Sequence, residues 1–298
     1  MNESIREGLK KYIQKTGISQ SALSKKIDIS NGALSLIIND KYPNETGATI
    51  DKIKNFLSMH EKEQGYVKKI EFVETSIVKK VINTISYCHI QKVMGIVYGD
   101  AGIGKTEAIH AYMDSNIDAI KINCVPACAK PKAFLKKLCR KLRLQGGKNE
   151  DEYYDDIVEK LEGTNKILIL DEAQHLPYKT LEHVRSIYDE TGIGIILIGN
   201  HQIHDKLLGI QEAAFAQLFN RIAIRNPLST NDVRIEDIQL IFGNIPKQSL
   251  EYLLNVANST KWGIRGAVNV YMNAANNDDI SVKGLQKMAC FMGIYESR

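Results

Sequence analysis

GIVYGDAGIGKTEAIHAY, residues 95–112, passes from apolar residues through three glycines and a Lys-Thr pair into a helical pattern. Gly99, Gly104, Lys105 and Thr106 fill G-x-x-x-x-G-K-[ST], with Asp100, Ala101, Gly102 and Ile103 between them. The apolar run VMGIVY before the motif and TEAIHAYM after it supply the strand and helix that the motif requires. Glycines let a backbone take positive φ and turn its N–H groups inward, so loop and helix N-terminus form a cradle for phosphates. Lys105 is placed to reach the β and γ phosphates and Thr106 to hold Mg²⁺, which implies a nucleoside triphosphate as ligand.

The rest of the chain is consistent with a globular protein of more than one unit. Its 298 residues are 44% hydrophobic and 25% charged, within the range of ordinary soluble domains. The N-terminus lacks an apolar leader, and runs such as ILIL and IGIILIG are far shorter than a membrane span. The expectation is a cytoplasmic protein with no membrane partner. Five cysteines without C-x-x-C spacing read as free thiols, and His201 and His204 read as loop histidines. The net charge of +4 is unevenly spread: residues 119–149 hold nine Lys or Arg and no acid, which leaves the remainder acidic.

Residues 1–65 read as short helices. Leu23, Ile27, Leu34, Ile37 and Ile38 recur at helical spacing around DISNGA, the pattern of a helix-turn-helix, and the segment resembles the small DNA-binding domains of phage repressors. Its second helix carries no Lys or Arg; Ser30, Asn31, Ser35 and Asn39 are its polar residues, flanked by Lys25, Lys26 and Lys41. HEKEQGYVKK, residues 60–69, reads as a linker. From residue 92 short apolar runs (KVMGIVY, AIKINCV, KILILD, GIGIILIG, RIAIRNPL) alternate with helical patterns. The expected fold is α/β: a five-stranded, mainly parallel sheet covered on both faces, spanning residues 66–226. Residues 227–298 read as a C-terminal helical domain.

A second motif completes the chemistry. KILILDEAQHL, residues 166–176, ends an apolar strand in Asp171 and Glu172. Beside a phosphate loop, Asp171 suits the Mg²⁺ shell and Glu172 suits orientation and deprotonation of an attacking water. Asn200, at the tip of GIGIILIGN, is placed to hold that water or the γ phosphate. Arg221, just before the fifth strand, fits an arginine supplied to a neighbouring subunit's site, with Arg225 as its competitor; Arg265, in WGIRGAVN, fits a nucleotide contact from the helical domain. PKAFLKKLCRKLRL places Phe134, Leu135, Leu138 and Leu142 on one side of a helix. Its bases Lys132, Lys136, Lys137, Arg140, Lys141 and Arg143 are left to lie along a DNA backbone. EDEYYDDIVEKLEG follows with seven acids and one Lys.

In this order and spacing the phosphate loop, DEAQH, Asn200, Arg221 and the G-x-R of the helical part resemble the AAA+ ATPases. FVET, GDAGIGKTEA, ILDEAQHL, TGIGIILIGNH and FAQLFNRIA narrow the resemblance, over nearly the whole chain, to the phage Mu-type transposition protein B family. The resemblance implies an ATPase, with ATP and Mg²⁺ as its cofactors, that binds double-stranded DNA without sequence preference, assembles with itself into helical filaments, delivers target DNA and stimulates a transposase. It also implies that hydrolysis, prompted by the transposase, releases the DNA. The family's loop often has Pro where this chain has Ala101. The family's C-terminal domain is also credited with DNA contact, but residues 226–298 here hold seven bases and seven acids, which moves the expected DNA contact to the core.

Two other readings compete. A nucleotide-gated helix-turn-helix transcription regulator would read an operator through residues 1–65, against which stands the uncharged second helix. A helicase, hinted at by DEAQ, needs a second RecA-like domain, which about 70 helical residues after Pro227 cannot form.

Overall fold

The computed structural model describes residues 2–42, 47–65, 70–145, 147–208, 220–259 and 261–294. The chain divides into two compact units, Met1–Lys68 and Lys69–Arg298. The stretch FAQLF, residues 215–219, which contributes to the family resemblance, lies outside the described residues, as does the latter part of the expected linker, 66–69.

The first unit contains helices α1 (Asn2–Thr16), α2 (Gln20–Ile27), α3 (Asn31–Ile38) and α4 (Ala48–Gly65). The side chains of Ser19 and Ser30 accept the N–H groups of Ala22 and Ala33, capping α2 and α3, and Asp28 turns the chain between them in the left-handed region. Leu9, Leu23, Leu34 and Ile53 are fully buried in its core, each contributing roughly 1.5–3 kcal/mol. Asn31, Gly32 and Leu36 of α3 face outward without a cation among them. Of the flanking bases, Lys26 donates to the Tyr12 hydroxyl and lies over the Tyr12 and Phe56 rings.

The second unit opens with α5 (Ser76–Gln91) and alternates β1 (Met94–Gly99), α6 (Lys105–Ser115), β2 (Ala119–Asn123), α7 (Pro131–Lys141), α8 (Glu150–Leu161), β3 (Ile167–Asp171), α9 (Tyr178–Thr191), β4 (Gly194–Gly199), α10 (His201–Leu207) and β5 (Ile222–Leu228). The strands form one sheet in the order β2-β3-β4-β1-β5, every pairing parallel. Successive residues of β3 and β4 feed opposite faces. Ile167, Ile169, Ile196 and Ile198 join the core beneath α5 and α6, whereas Leu168, Leu170, Ile195 and Leu197 join that beneath α7, α8 and α9. Burial on both sides is why these strands read as unbroken apolar runs.

Pro227 and Leu228 finish β5 rather than opening the helical part. That part consists of α11 (Ile235–Phe242), α12 (Lys247–Ala257), α13 (Gly263–Ala275) and α14 (Val282–Phe291). Its apolar faces share the α5–α6 core. A buried carboxylate joins them: Asp237 of α11 accepts both the backbone N–H and the hydroxyl of Ser76, at 2.6 and 2.7 Å. No described helix is long and apolar enough to cross a membrane.

Candidate active site

Parallel strands deliver their C-terminal ends to one edge of a sheet, and ligands of such sheets bind there. The register pairs Tyr98 with Gly199 and Asn123 with Asp171, so the phosphate loop and the tips of β3 and β4 meet at that edge. Gly99, Gly102 and Gly104 all take positive φ, as the motif requires. A cavity of about 350 Å³ opens over the loop, lined by Ala101, Gly102, Gly104, Lys105, Thr106, Glu172, Asn200 and Arg265.

Polar groups converge in and beside the cavity. Lys105 Nζ donates to the Gly99 carbonyl at 2.9 Å and to that of Asp100. Burial pulls its pKa below the ordinary lysine value, opposed chiefly by the Glu172, Asp100 and Asp171 carboxylates. Thr106 Oγ1 donates to Asp171 Oδ2 at 3.2 Å. A hydroxyl and a buried carboxylate in direct contact are the hard oxygen donors that Mg²⁺ takes alongside phosphate oxygens and water, so the residues fit that ion. Lys121 Nζ of β2 lies 3.0 Å from the same Asp171 oxygen and is largely buried, so Asp171 carries its own counter-charge. Glu172 sits in the left-handed region at φ 57°, ψ 38°. For a non-glycine residue that conformation costs on the order of 1–3 kcal/mol.

Asn200 caps α10, its side-chain oxygen accepting the Gln202 N–H at 2.9 Å. The cap also explains a difference from the sequence reading: His201 and His204 lie on a helix, not in a loop, and both rings contact Tyr98. Arg265 enters from the first turn of α13. Its backbone N–H donates to the Gly102 carbonyl at 3.0 Å, and a Cβ at Gly263 would stand 2.7 Å from the Ala101 carbonyl oxygen. Helix α13 therefore reaches the phosphate loop through backbone contact that only glycine at 263 permits.

Other expected residues lie elsewhere. Asp100 turns from the cavity to accept the N–H and hydroxyl of Thr230 at 2.8 and 3.2 Å. Burial raises its pKa, but these bonds and His201 outweigh it and hold the carboxyl below its usual value. Ile103 is fully buried in the core, and Gly99 is engaged through its carbonyl with Lys105. Arg221 does not line the cavity; it is 44% exposed and forks onto Asp189 at 3.0 and 3.4 Å, a carboxylate that Arg185 also binds. Arg225 is exposed on β5. On α7, Lys132, Lys136, Arg140 and Lys141 are exposed, as is Arg143 just beyond its end. Lys137 differs, donating to the Asn123 carbonyl at the end of β2.

The sequence reading did not find a second cavity, of about 490 Å³, that shares Gly104, Glu107, Ile264 and Val268 with the first. Ile70, Phe72, Val73, Val78 and Ile103 supply an apolar wall suited to a planar base. Its trace in the sequence is IEFV, residues 70–73, three apolar residues around Glu71 in a stretch belonging to no helix or strand.

Residues 89–207 match a family model described as AAA domain. The chain carries an AAA domain. Beyond that domain it is similar to the Mu-type transposition B proteins. It is 28% identical over 239 residues, 80% of this chain and 76% of the relative, to the ATP-dependent target DNA activator B of Escherichia phage Mu. It is 27% identical over 219 residues, 72% of this chain and 76% of the relative, to the Mu-like prophage FluMu DNA transposition protein B of Haemophilus influenzae. Among solved structures, a Thermotoga maritima RuvB mutant superposes with a TM-score of 0.49 at 15% identity, covering 76% of this chain and 72% of that one. In the AAA domain the loop, Asp171, Glu172 and Asn200 fall on the matched stretch, whereas Arg221 and Arg265 lie after it.

Proposed function

We propose that this chain is an ATP-dependent target DNA activator of the Mu transposition type. On this reading it binds ATP with Mg²⁺, assembles with itself on double-stranded DNA without sequence preference, and presents that DNA to a transposase, which it stimulates. Hydrolysis, accelerated by DNA and the partner, ends the bound state, and the protein acts in the cytoplasm. The observation that carries the reading is the cavity in which the phosphate loop, the Thr106–Asp171 pair, Glu172, Asn200 and Arg265 converge. The division of labour follows the expected boundaries: 1–65 for docking or auxiliary DNA contact, 66–226 for nucleotide and DNA, 227–298 for reporting nucleotide state through Arg265.

The residues take distinct roles. Lys105 and the loop N–H groups bind the phosphates; Thr106 and Asp171 hold Mg²⁺, which when bound neutralises charge on the transferring phosphoryl group. Glu172 draws a proton from the attacking water, and Asn200 orients that water or the γ phosphate. Arg221, outside its own cavity, serves the site of the next subunit. Mixing then gives a clear result: Arg221→Ala and Lys105→Ala, each inactive alone, should together regain part of the turnover, because a mixed interface pairs an intact loop with an intact arginine. A mixture as inactive as its components would return Arg221 to its Asp189 ion pair.

The DNA surface is the exposed row on α7. Lys136, Arg140, Lys141 and Arg143 take part in no ion pair among the described residues, although acidic α8 packs beside them. Changing Lys136, Arg140 and Lys141 to Gln should weaken binding to all sequences alike and flatten its salt dependence by about 0.9 for each phosphate left without its cation. An unchanged slope would remove α7 from the interface. The reading as a whole is tested by binding to random-sequence duplex DNA with ATP, with ADP and with neither, while particle size is followed. ATP-dependent, sequence-indifferent binding in large assemblies is expected. One preferred sequence bound without assembly would replace the reading with a nucleotide-gated regulator.

A further inference from the structure

We infer that Gln174 is a positioning residue for Glu172, tying that carboxylate to the tip of β4 and the start of α10; the inference rests on the hydrolytic reading of Glu172 above. Gln174 lies in the 3-10 turn Ala173–His175 and is 5% exposed. Its Nε2 donates to Glu172 Oε2, and its Oε1 accepts the backbone N–H of Asn200 at 3.3 Å. The orientation of the amide is dictated by its partners, since a carboxylate only accepts and a backbone N–H only donates. A flipped amide would oppose like groups at both ends.

Two further elements are built around the same side chain. A Cβ at Gly199, the last residue of β4, would stand 2.4 Å from Gln174 Oε1, so that glycine makes room for the amide. From α10, Lys206 Nζ donates to the Gln174 backbone carbonyl. A buried amide costs free energy unless both its ends are paired, and an apolar side chain of equal length would fill the space without that demand. What the amide adds is a fixed link between two residues that line the cavity, Glu172 and Asn200. A displacement of Asn200 or of α10 is thereby transmitted to the carboxylate.

The test compares Gln174→Met, which keeps length and volume and loses both side-chain bonds, with Gly199→Ala, which keeps Gln174 and displaces its amide. Both should lower turnover at saturating ATP by about 10- to 100-fold, the range for removal of a supporting hydrogen bond behind a reacting group. For Gln174→Met, which leaves no buried amide to pair, affinity for a fluorescent ADP analogue and the melting temperature should stay near wild-type values. Adding Gln174→Met to Glu172→Gln should cause no further loss, because Gln174 acts through Glu172. Turnover of Gln174→Met within about twofold of wild type, while Glu172→Gln is inactive, would overturn the inference alone. Parallel falls in turnover, nucleotide affinity and melting temperature would overturn it in favour of a folding role, and an additive loss in the double variant would do the same in favour of an independent one. Full turnover in Glu172→Gln would instead overturn the hydrolytic reading beneath it.

Discussion

Lys105→Ala should lose nucleotide binding by more than about 100-fold and, with it, every nucleotide-dependent activity of the chain. The ammonium is largely buried and shares its surroundings with three carboxylates and one arginine. A charge so placed interacts far more strongly with phosphate oxygens than it would in water, because the local dielectric is lower. Removing it leaves Glu172 in the cavity, and the nearby Asp171 and Asp100 charges, with one cation fewer to balance them against a polyanion. The loop itself should survive, since its shape is held by Asp100 on Thr230 and by α13 on Gly102. Titration of the variant with a fluorescent ATP analogue, alongside its melting temperature, checks this. Binding within about threefold of wild type would refute the site, whereas lost binding with an unchanged melting temperature supports it. DNA binding measured with ATP should fall to the level seen without nucleotide.

Glu172→Gln should separate binding from turnover. The substitution keeps shape, and the new amide oxygen can still accept from Gln174, so nucleotide affinity should stay near wild type. What disappears is the carboxylate that takes the proton of the attacking water, a contribution of about 10²- to 10⁴-fold for a positioned base. With hydrolysis blocked and ATP retained, the variant should remain on DNA long after the wild-type protein has left, because the step that ends the bound state is missing. Steady-state phosphate release and dissociation from labelled duplex measure the two halves. Normal phosphate release would take Glu172 out of its role. Slow release combined with rapid dissociation would show that hydrolysis does not govern departure from DNA.

The local parts of this protein are legible along the chain for a physical reason. A phosphate cradle is made from the N–H groups of consecutive residues and the helix that follows them, so Gly99 to Thr106 appear as one uninterrupted motif. The strand that carries Asp171 is buried on both faces, and ILIL announces it. Alternation of such runs with helical patterns is enough to specify an α/β sheet, as found. The α7 stripe is equally readable, because helical spacing separates its buried leucines from its bases. Lys137 escapes that logic: its Asn123 partner lies 14 residues away, on another element.

What the sequence by itself determined is therefore the set of contiguous devices: the phosphate loop, the acidic strand end, the basic helix and the class of sheet that carries them. Tertiary structure alone decided which distant residues join them. The apolar pocket draws on residues 70–73, 103–107 and 264–268, and Arg265 reaches the loop because Gly263 lets two backbones touch. The Gln174 link likewise joins β3, β4 and α10. Periodicity records which face of an element is buried, not which other element covers it. Groups brought together by packing, rather than by the chain's own covalent order, become visible only when the sheet is folded.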